Sequence, residues 1–455
     1  MKFSLLSTAT AVVIASNSFV ASAATEDSLI FPPNEDKRFH WDGYNKLKSV
    51  DLSGETVSVF GAWLGPEKAY FDNVVDYFEA ATGAKVNYSG SDSFEQQIVI
   101  DAQAGSAPNI SIFPQPGLAA DLASKGLMAP LKSSVGSFVK ENYAAGESWV
   151  DLATFKNEKN KDDLYGIFYR ADLKSLVWYS PENFEDAGYD VPETMEELKS
   201  LTKKIAADGG TPWCIGIGSG AATGWPATDW VEDLLLRTQP ADVYDKWVSN
   251  EIPFNDPKIV AAIEEFGWFV KNEKYVDGGS RAVAATDFRD SPKGMFTSPP
   301  KCYMHRQASF IPSFFPEGTK LGIDADFFYF PAYESKPLGS PVMGGGTMLG
   351  ITNDSKGARA FMDFILTPIA HELWMAQQSF LTAHKGVNID LYSSEAAKKQ
   401  GEILRYSTTF RFDGSDLMPG KIGAGAFWTG MVDYTSGKSA KEVATDIQKT
   451  WDALK

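Results

Sequence analysis

The residues that most often catalyse reactions occur in this sequence without the spacing that known catalytic motifs need. His371 and Glu372 begin an HExxH-like pattern, but no second histidine follows at the zinc-binding position. Gly437-Lys438-Ser439 lacks the upstream glycine of a phosphate-binding loop, and no GxSxG nucleophile elbow occurs. Asp229 and Glu232 resemble a glycosidase pair, but their helical spacing in an acidic chain is typical of a solvated face. We therefore expect a binding protein rather than an enzyme, with an exported glycoside hydrolase as the alternative.

Polar and aromatic side chains follow the predicted strands in the first half of the chain, in loops that lead into helices. Trp63 is expected either to stack on a ligand ring or to cover the start of the next helix. Glu67 either binds a ligand or interacts with the dipole of that helix. Asp92 and Gln96 follow the second strand, and Gln115 follows the third. Their carboxylate and amide groups suit adjacent hydroxyls, although such residues also cap helices.

A second set of candidates lies beyond residue 220. Trp225 and Asp229 occur in a segment broken by Gly and Pro that opens a helix, so Asp229 is either a ligand contact or the helix N-cap. His305 and Arg306 are candidates to donate hydrogen bonds to hydroxyls, although a single histidine is more often a structural donor.

The last two pairs of candidates follow in the C-terminal third. Gly345 and Gly346 belong to a glycine run that lets backbone amides approach a ligand, or that permits a hinge turn. Arg411 and Asp413 are either polar groups of the site or a surface ion pair. The candidates as a whole are suited to an uncharged ligand with rings and hydroxyl groups.

The composition agrees with such a ligand and excludes others. Aromatic residues make up 13% of the chain, and aromatic faces pack against the C–H faces of sugar rings, although most rings are expected in the core. The formal net charge is −17. Nucleic acids and anionic membranes need basic patches, so neither is an expected partner. No cofactor is predicted.

The N-terminus indicates export. Lys2 precedes a mostly apolar stretch over 5–20, and Ala21-Ser22-Ala23 is a small-x-small cleavage site. We predict a signal peptide over 1–23 with Ala24 as the first mature residue, and hence a periplasmic protein; a buried N-terminal helix is the alternative. In an oxidising compartment Cys214 and Cys302 are expected to form a disulfide rather than remain two buried thiols. No metal site is predicted, since two cysteines and four scattered histidines do not readily supply one.

Strands and helices alternate along the mature chain. The pattern predicts strands at 56–60, 84–88 and 109–113, each followed by a helix, at 66–82, 94–104 and 118–125. This order defines βαβ units and a mainly parallel sheet. A second α/β stretch begins near residue 173, with strands at 175–179 and 213–217 and helices at 194–208, 230–238 and 257–272.

Five segments, spread over nearly the whole mature chain, carry a resemblance to a known family. They read ATGAKVNY (81–88), AGSAPNISIF with LASKGLMAPL (104–113 and 122–131), YGIFYRADLKSLVWYSPENFEDAGYDVPETMEELKSLTKKI (165–205), SKGARAFMDFILTP with QQSFLTAHKGV (355–368 and 377–387) and FWTGMVDYTSGKSAKEVATDIQKTWDAL (427–454). In this order they resemble the family 1 extracellular solute-binding proteins of ABC importers, the maltose-binding-protein-like group. The N-terminal leader and PPKCYMHRQASF (299–310) are similar to the periplasmic α-glucoside-binding members.

The resemblance implies an α/β fold of two lobes, the type II periplasmic-binding-protein fold, with a mainly parallel sheet flanked by helices in each lobe and a hinge between them. We expect lobe 1 at 24–170, lobe 2 at 171–336, a return to lobe 1 at 337–385 and C-terminal helices of lobe 2 at 386–455. Trp428 matches the family's late aromatic site position, although it could equally pack a helix.

The resemblance also implies a function. The chain is expected to bind an α-glucoside in the interlobe cleft and to deliver it to the membrane permease subunits of an ABC importer, acting as a monomer. A protein of the same fold for a non-sugar solute, such as a polyamine or a metal ion, is the other alternative.

Overall fold

The computed structural model describes residues 23–378, 380–406 and 409–454. The predicted signal peptide therefore lies, except for Ala23, outside the described residues. Ala24, the predicted first mature residue, donates a backbone hydrogen bond to the buried Glu79 carboxylate at 2.8 Å. Within the described ranges, every helix is too short or too polar to cross a bilayer.

The described residues contain eleven strands and seventeen α-helices, numbered along the chain. The strands are β1 (Thr56–Gly61), β2 (Lys85–Gly90), β3 (Ile110–Phe113), β4 (Thr154–Lys156), β5 (Asp162–Leu164), β6 (Gly166–Leu173), β7 (Leu176–Tyr179), β8 (Met304–Arg306), β9 (Asp326–Tyr329), β10 (Pro341–Ile351) and β11 (Thr409–Phe412). The helices are α1 (Asp42–Leu47), α2 (Pro66–Thr82), α3 (Phe94–Gln103), α4 (Pro116–Ala123), α5 (Ser133–Asn142), α6 (Gly146–Asp151), α7 (Pro181–Ala187), α8 (Met195–Ala207), α9 (Trp225–Thr238), α10 (Ala241–Val248), α11 (Pro257–Val270), α12 (Lys356–Ile365), α13 (Pro368–Met375), α14 (Glu395–Tyr406), α15 (Gly414–Leu417), α16 (Trp428–Thr435) and α17 (Ala440–Asp452).

The first lobe is built on a six-stranded sheet in which β1 pairs in parallel with both β2 and β3. The predicted order of strand and helix is confirmed here. Because β1, β2 and β3 run in one direction, the loops after them meet at one edge of the sheet. The long strand β10 runs antiparallel to β3 and β6 and parallel to β11, so the sheet as a whole is mixed.

The second lobe has a smaller sheet of different pairing. Its strands β8, β7 and β9 are all antiparallel. The predicted strand at 213–217 is an extended segment that changes neighbours: Cys214, Ile217 and Gly218 donate their amides to Met304, Val283 and Thr286 respectively. Parallel pairing in this lobe is therefore limited to single bridges, such as Trp213 with Val276, in the part of the chain that the structure describes.

Two large hydrophobic clusters form the cores of the lobes. Phe71 and Trp374 belong to the first cluster, and Trp230 and Phe266 to the second. Strand β10 runs from one core to the other, since Met343 packs in the second cluster and Leu349 in the first. Strands β6 and β10 thus form the connection between the lobes. The pairing of β11 with β10 places Thr409–Phe412 in the first-lobe sheet, and the predicted division of the chain into lobes stays a prediction.

The predicted disulfide between Cys214 and Cys302 is confirmed. It ties the segment after α8 to the segment before β8, inside the second lobe. Both cysteines are buried among Trp178, Met295 and Phe288.

Candidate functional site

A cavity of about 820 Å³, counted with the space that opens to solvent, lies between the two lobes. Its walls come from the loops after β1, β2 and β3, from the connection between the lobes, and from the start of α9. The lining residues are Ala62, Trp63, Glu67, Ser91, Asp92, Glu95, Pro114, Gln115, Arg170, Asp172, Lys174, Ser219, Ala222, Trp225, Asp229, Phe288, Arg289, Phe310, Gly346, Thr347, Asp413, Ser415, Asp416 and Trp428.

The structure brings most of the predicted site residues together at this cavity. Those that line it are Trp63, Glu67, Asp92, Gln115, Trp225, Asp229, Gly346, Asp413 and Trp428. They come from distant parts of the chain, which the parallel strand ends and the lobe connection bring within one cleft.

Two predicted residues lie in the core of the second lobe instead. His305 donates from Nδ1 to the carbonyl of Cys214 at 2.7 Å, and burial lowers its pKa to about 4, so the ring is neutral at pH 7. Arg306 donates to the Asp233 carboxylate at 2.7 Å and is buried. Each side chain is held in the core by its structural partner and does not reach the cavity, although His305 Nε2 and Arg306 Nε have no hydrogen-bond partner among the described residues.

Three further predicted residues also lie outside the cavity lining. Gln96 is exposed on α3, one residue from the buried Glu95. Arg411 forms a surface ion pair with Asp245, with N–O distances of 2.6 and 2.9 Å, rather than with Asp413. Gly345 lies within β10, where a Cβ atom would stand 3.0 Å from Lys174 Cε; the glycine run is part of a strand and forms no hinge turn.

The interpretation of Asp229 and Glu232 as a solvated helix face is wrong. Both side chains are buried, and helix α9 begins at Trp225, so Asp229 lies inside the helix rather than at its N-cap. The Glu232 carboxylate accepts hydrogen bonds from the amides of Gly414 and Ser415, at 2.6 and 3.1 Å. Glu232 therefore holds the start of α15, which carries Asp413 to the cavity.

Trp63 is fixed in the first-lobe wall by the aromatic core behind it. Its ring lies 4.8 Å from Trp374 and 5.0 Å from Phe71, and the Arg170 guanidinium lies 5.4 Å from it. Only 3% of Trp63 is exposed. Because this packing already immobilises the ring, little further side-chain entropy is lost when a ligand binds.

The opposite wall carries a second group of rings. Trp225 is half-buried and meets Phe288 edge to face at 4.9 Å, with Phe310 at 6.0 Å. Trp428 begins α16 and lines the same cavity, and its indole Nε1–H has no hydrogen-bond partner among the described residues. Ring faces and a free N–H donor are the groups that recognise the faces and hydroxyls of a sugar.

Strand β6 and the residue after it project three charged side chains toward the cavity. Arg170 donates to Glu67 at 2.6 Å and its Nε lies 3.3 Å from Asp172. Burial raises the pKa of Glu67, an effect that Arg170 opposes. Arg170, Asp172 and Lys174 were not predicted as site residues from the sequence. Their signal was present, because charges at every second position of an otherwise apolar strand mark a face turned to a polar space.

Lys174 is the centre of a buried cluster at the second-lobe end of the cavity. Its Nζ lies 3.1 Å from Asp229, in contact with Asp413 and 3.8 Å from Asp416. Burial raises the pKa of Asp229 to about 8 even though Lys174 opposes the shift. Burial acts in the same direction on Asp413, but Lys174 attracts it strongly enough to lower its pKa below the ordinary value. The second oxygen of Asp229 has no partner within the described residues and is free for a ligand hydroxyl.

Asp92 and Arg289 join the two lobes across the cavity. The Arg289 guanidinium donates to Asp92 at 2.6 Å and lies 4.4 Å from the Phe288 ring. Gly220 itself has a left-handed backbone conformation, with φ +54°. A Cβ atom added to Gly220 would be 2.9 Å from the Cβ atom of Asp92. Contacts of this length across the cleft belong to a closed arrangement of the lobes.

Glu95 and Gln115 complete the first-lobe wall. Burial raises the pKa of Glu95 to about 7, and its interaction with Gln115 favours the ionised form. The side-chain carbonyl oxygen of Gln115 is buried without a partner among the described residues. Glu95 was not predicted; it lies in the first turn of α3, one position from Gln96, where sequence spacing does not show which side chain faces the cleft.

Comparison with known proteins gives the class of protein that this fold and cavity define. Residues 62–372 match the sequence profile of the family described as bacterial extracellular solute-binding protein, and the chain belongs to that family. It is 63% identical, over 94% of both chains, to the alpha-glucosides-binding periplasmic protein AglE of Rhizobium meliloti. It is 39% identical to the osmoprotective compounds-binding protein GgtB of Synechocystis sp., over 88% of this chain and 93% of that one.

Solved structures share the fold. A chitin oligosaccharide binding protein superposes with a TM-score of 0.75 at 17% identity, covering 88% of this chain and 98% of that one. A maltose-bound MalE3 of T. maritima gives 0.67 at 15% identity, over 88% and 100%. The predicted two-lobe solute-binding fold is confirmed, and family membership confirms the expectation of a binding protein rather than an enzyme.

Proposed function

We propose that this chain is the periplasmic substrate-binding component of an ABC importer and binds an α-glucoside, a di- or oligosaccharide, in the cleft between its lobes. The observation that carries the proposal is the closed cavity, which combines ring faces from both lobes with buried polar atoms that have no partner among the described residues. The sugar class is supported by the 63% identity to an α-glucoside-binding relative.

The cavity suits a glucoside for a physical reason. A pyranose ring has apolar C–H faces and a rim of hydroxyls, so it needs flat rings above or below and polar groups at its edges. Trp63 and Trp225 supply rings on opposite walls, and Gln115, Asp229 and Trp428 supply polar atoms. Each hydroxyl that meets one of these atoms relieves a desolvation cost that the closed cavity otherwise bears.

Closure couples binding to transport. A ligand that contacts both lobes stabilises the closed form over the open one, because only the closed form offers both sets of contacts. The Asp92–Arg289 pair adds a contact that exists only when the lobes meet. The permease subunits of the importer then recognise the closed, loaded protein, which acts as a monomer.

A thermal-shift and calorimetry panel tests the proposal. Mature protein is mixed with maltose, sucrose, trehalose and longer α-glucans, with spermidine and glycine betaine as non-sugar solutes, and glucose release is assayed in parallel. We expect at least one α-glucoside to raise the melting temperature with no glucose released. Release of glucose would establish a hydrolase, and a response to non-sugar solutes alone would establish the same fold with another ligand.

A matched pair of variants links binding to the cavity. Trp225→Ala removes a half-buried ring from the cavity wall, whereas Trp268→Ala removes an equally half-buried ring from α11, away from it. We expect the first change to weaken α-glucoside binding about tenfold or more and the second to leave the affinity unchanged. Equal affinities in both variants would place the sugar elsewhere.

A further inference from the structure

Every basic side chain that lines the cavity is already held by at least two carboxylates. Lys174 lies 3.1 Å from Asp229 and 3.8 Å from Asp416, and contacts Asp413 as well. Its ammonium group is buried, so these carboxylates surround a charge that has little access to solvent.

The two arginines of the cavity have the same arrangement. Arg170 pairs with Glu67 at 2.6 Å and with Asp172 at 3.3 Å. Arg289 pairs with Asp92 at 2.6 Å and with Asp287 at 3.3 Å. The Arg289 Nε–H makes no hydrogen bond to the described residues, so it can still donate to a neutral hydroxyl.

The balance of charge in the cavity does not become positive even when every carboxyl whose pKa burial raises is neutral. Among the described lining residues, acidic side chains outnumber basic ones more than twofold. Burial raises the pKa of Glu67, Glu95, Asp229 and Asp416. If all four were neutral, the other three carboxyls would still equal the three basic groups in number.

We propose that this cavity selects glycosides by charge: it accepts neutral and amine-bearing α-glucosides and rejects those that carry a carboxylate or a phosphate. This inference rests on the proposed function and narrows its substrate class. The unpartnered side-chain oxygen of Gln115 supports the same selection, because an amide oxygen only accepts hydrogen bonds and can bind a hydroxyl or ammonium but not an anionic oxygen.

The physical reason is desolvation without compensation. An anion that enters the closed cavity loses its hydration shell and finds no surplus positive charge to replace it. The surrounding carboxylates repel it across a medium of low dielectric constant. A neutral hydroxyl avoids both costs, and an ammonium group gains from the same carboxylates.

Four methyl α-D-glucopyranosides that differ only at C6 test the inference by calorimetry on the mature protein: the parent alcohol, the uronate, the uronamide and the 6-amino-6-deoxy compound. The uncharged uronamide controls for the changed shape of the uronate. We expect the uronate to bind about tenfold more weakly than the uronamide, and the amine to bind at least as tightly as the uronamide. A uronate-to-uronamide ratio of dissociation constants below three overturns the inference.

The failure of the inference differs from the failure of the proposed function. If the parent alcohol, the uronamide and the uronate bind equally, charge selection is excluded while glucoside binding stands. If neither these four compounds nor any α-glucoside of the thermal-shift panel binds, both are excluded.

A variant that removes one charge from the cavity tests whether the cavity sets the uronate-to-uronamide ratio of dissociation constants. Asp92→Asn removes one carboxylate from Arg289, so we expect the uronate-to-uronamide ratio to fall at least threefold. Asp245→Asn removes a carboxylate from a surface pair with Arg411 and serves as the control with an unchanged ratio. Equal ratios in the wild type and in Asp92→Asn would contradict the assignment of the selection to the charges around Arg289.

Discussion

Helix α9 carries two buried aspartates one turn apart, and they belong to two different charge networks. Asp229 lines the cavity, contacts Lys174 through one oxygen and has no partner for the other among the described residues. Asp233 is fully buried behind it and accepts hydrogen bonds from Arg237, from Arg306 at 2.7 Å and from Ser175 at 2.8 Å. The first network leaves one carboxylate oxygen of Asp229 without a partner, and we call it incomplete. In the second, both carboxylate oxygens of Asp233 accept hydrogen bonds, and we call it saturated.

The saturated network has a structural role. Besides its bonds to Asp233, Arg237 donates to the carbonyls of Phe330 and Pro331, at 2.9 and 3.0 Å. These bonds tie α9 to β8, to the end of β9 and to the start of β7. A buried carboxylate whose two oxygens both accept hydrogen bonds from the protein fixes the fold and offers no acceptor to a ligand.

Burial and charge alone therefore do not identify a binding residue. Arg306 and Asp229 both qualified as candidates, and both are buried and paired. Each also keeps one buried polar atom without a partner among the described residues. What separates them is the cavity, which Asp229 lines and Arg306 does not. Functional charges are those whose unused hydrogen-bonding capacity lies beside an open space.

The largest effect is expected from breaking the saturated network. Asp233→Ala leaves Arg237 and Arg306 as buried charges without a carboxylate, and we expect about 3–5 kcal/mol of lost stability in urea unfolding. The affinity of the folded fraction for the α-glucoside should not change. Asp245→Ala, which breaks the exposed pair with Arg411, is the control and should cost no more than about 1 kcal/mol. A lower affinity of the folded fraction for the α-glucoside would assign Asp233 to the binding site.

The disulfide lies next to the saturated network, so its removal also tests the structural role of this part of the second lobe. Cys214 offers its carbonyl to His305, the neighbour of Arg306, and the bridge closes a loop with a sequence separation of 88 residues. Cys214→Ala combined with Cys302→Ala is expected to lower the free energy of unfolding by about 2–4 kcal/mol, because the unfolded chain gains freedom. Treatment with reductant should act on the wild type but not on this variant. Melting curves that coincide for the wild type and the double variant would contradict a stabilising role.

A change in the incomplete network should lower the affinity for the ligand and leave the stability of the fold intact. Asp229→Asn keeps the size of the side chain and leaves Lys174 paired with Asp413 and Asp416. We expect α-glucoside affinity to fall about tenfold, because the hydrogen bond between the Asp229 carboxyl group and a ligand hydroxyl is lost, with no loss of folding stability at pH 7. Calorimetric titration and urea unfolding of the same preparation measure both quantities. Unchanged affinity would return Asp229 to a purely structural role.

The last prediction concerns the difference in pH dependence between the wild type and Asp229→Asn. Burial raises the pKa of Asp229 to about 8 in the folded state, against about 4 for an unfolded aspartate. Between these values the folded protein binds a proton that the unfolded chain releases, so this group makes stability fall as pH rises from about 4 to 8. The wild type should therefore lose stability relative to Asp229→Asn across that window. Parallel profiles from thermal unfolding between pH 5 and 8 would contradict the buried, high-pKa aspartate.

Local patterns explain which parts of the site were predictable. Trp63, Asp92 and Gln115 each follow one of three parallel strands, and the ends of such strands must meet at one edge. Gln96 failed to reach the cavity while Glu95 did, because one step along a helix rotates a side chain by about 100° and the spacing alone does not fix the phase.

By itself the sequence determined the order of strands and helices in the first lobe, the parallel pairing of β1 with its neighbours, the disulfide and the family, because these depend on local periodicity, on turn residues and on the only two cysteines of the chain. Only the tertiary structure decided which charges face the cavity. Lys174 meets Asp413, which is 239 residues away along the chain, and Arg289 meets Asp92 from the other lobe. Whether a buried charge is saturated or left open depends on partners that folding brings from distant segments, and no local pattern records them.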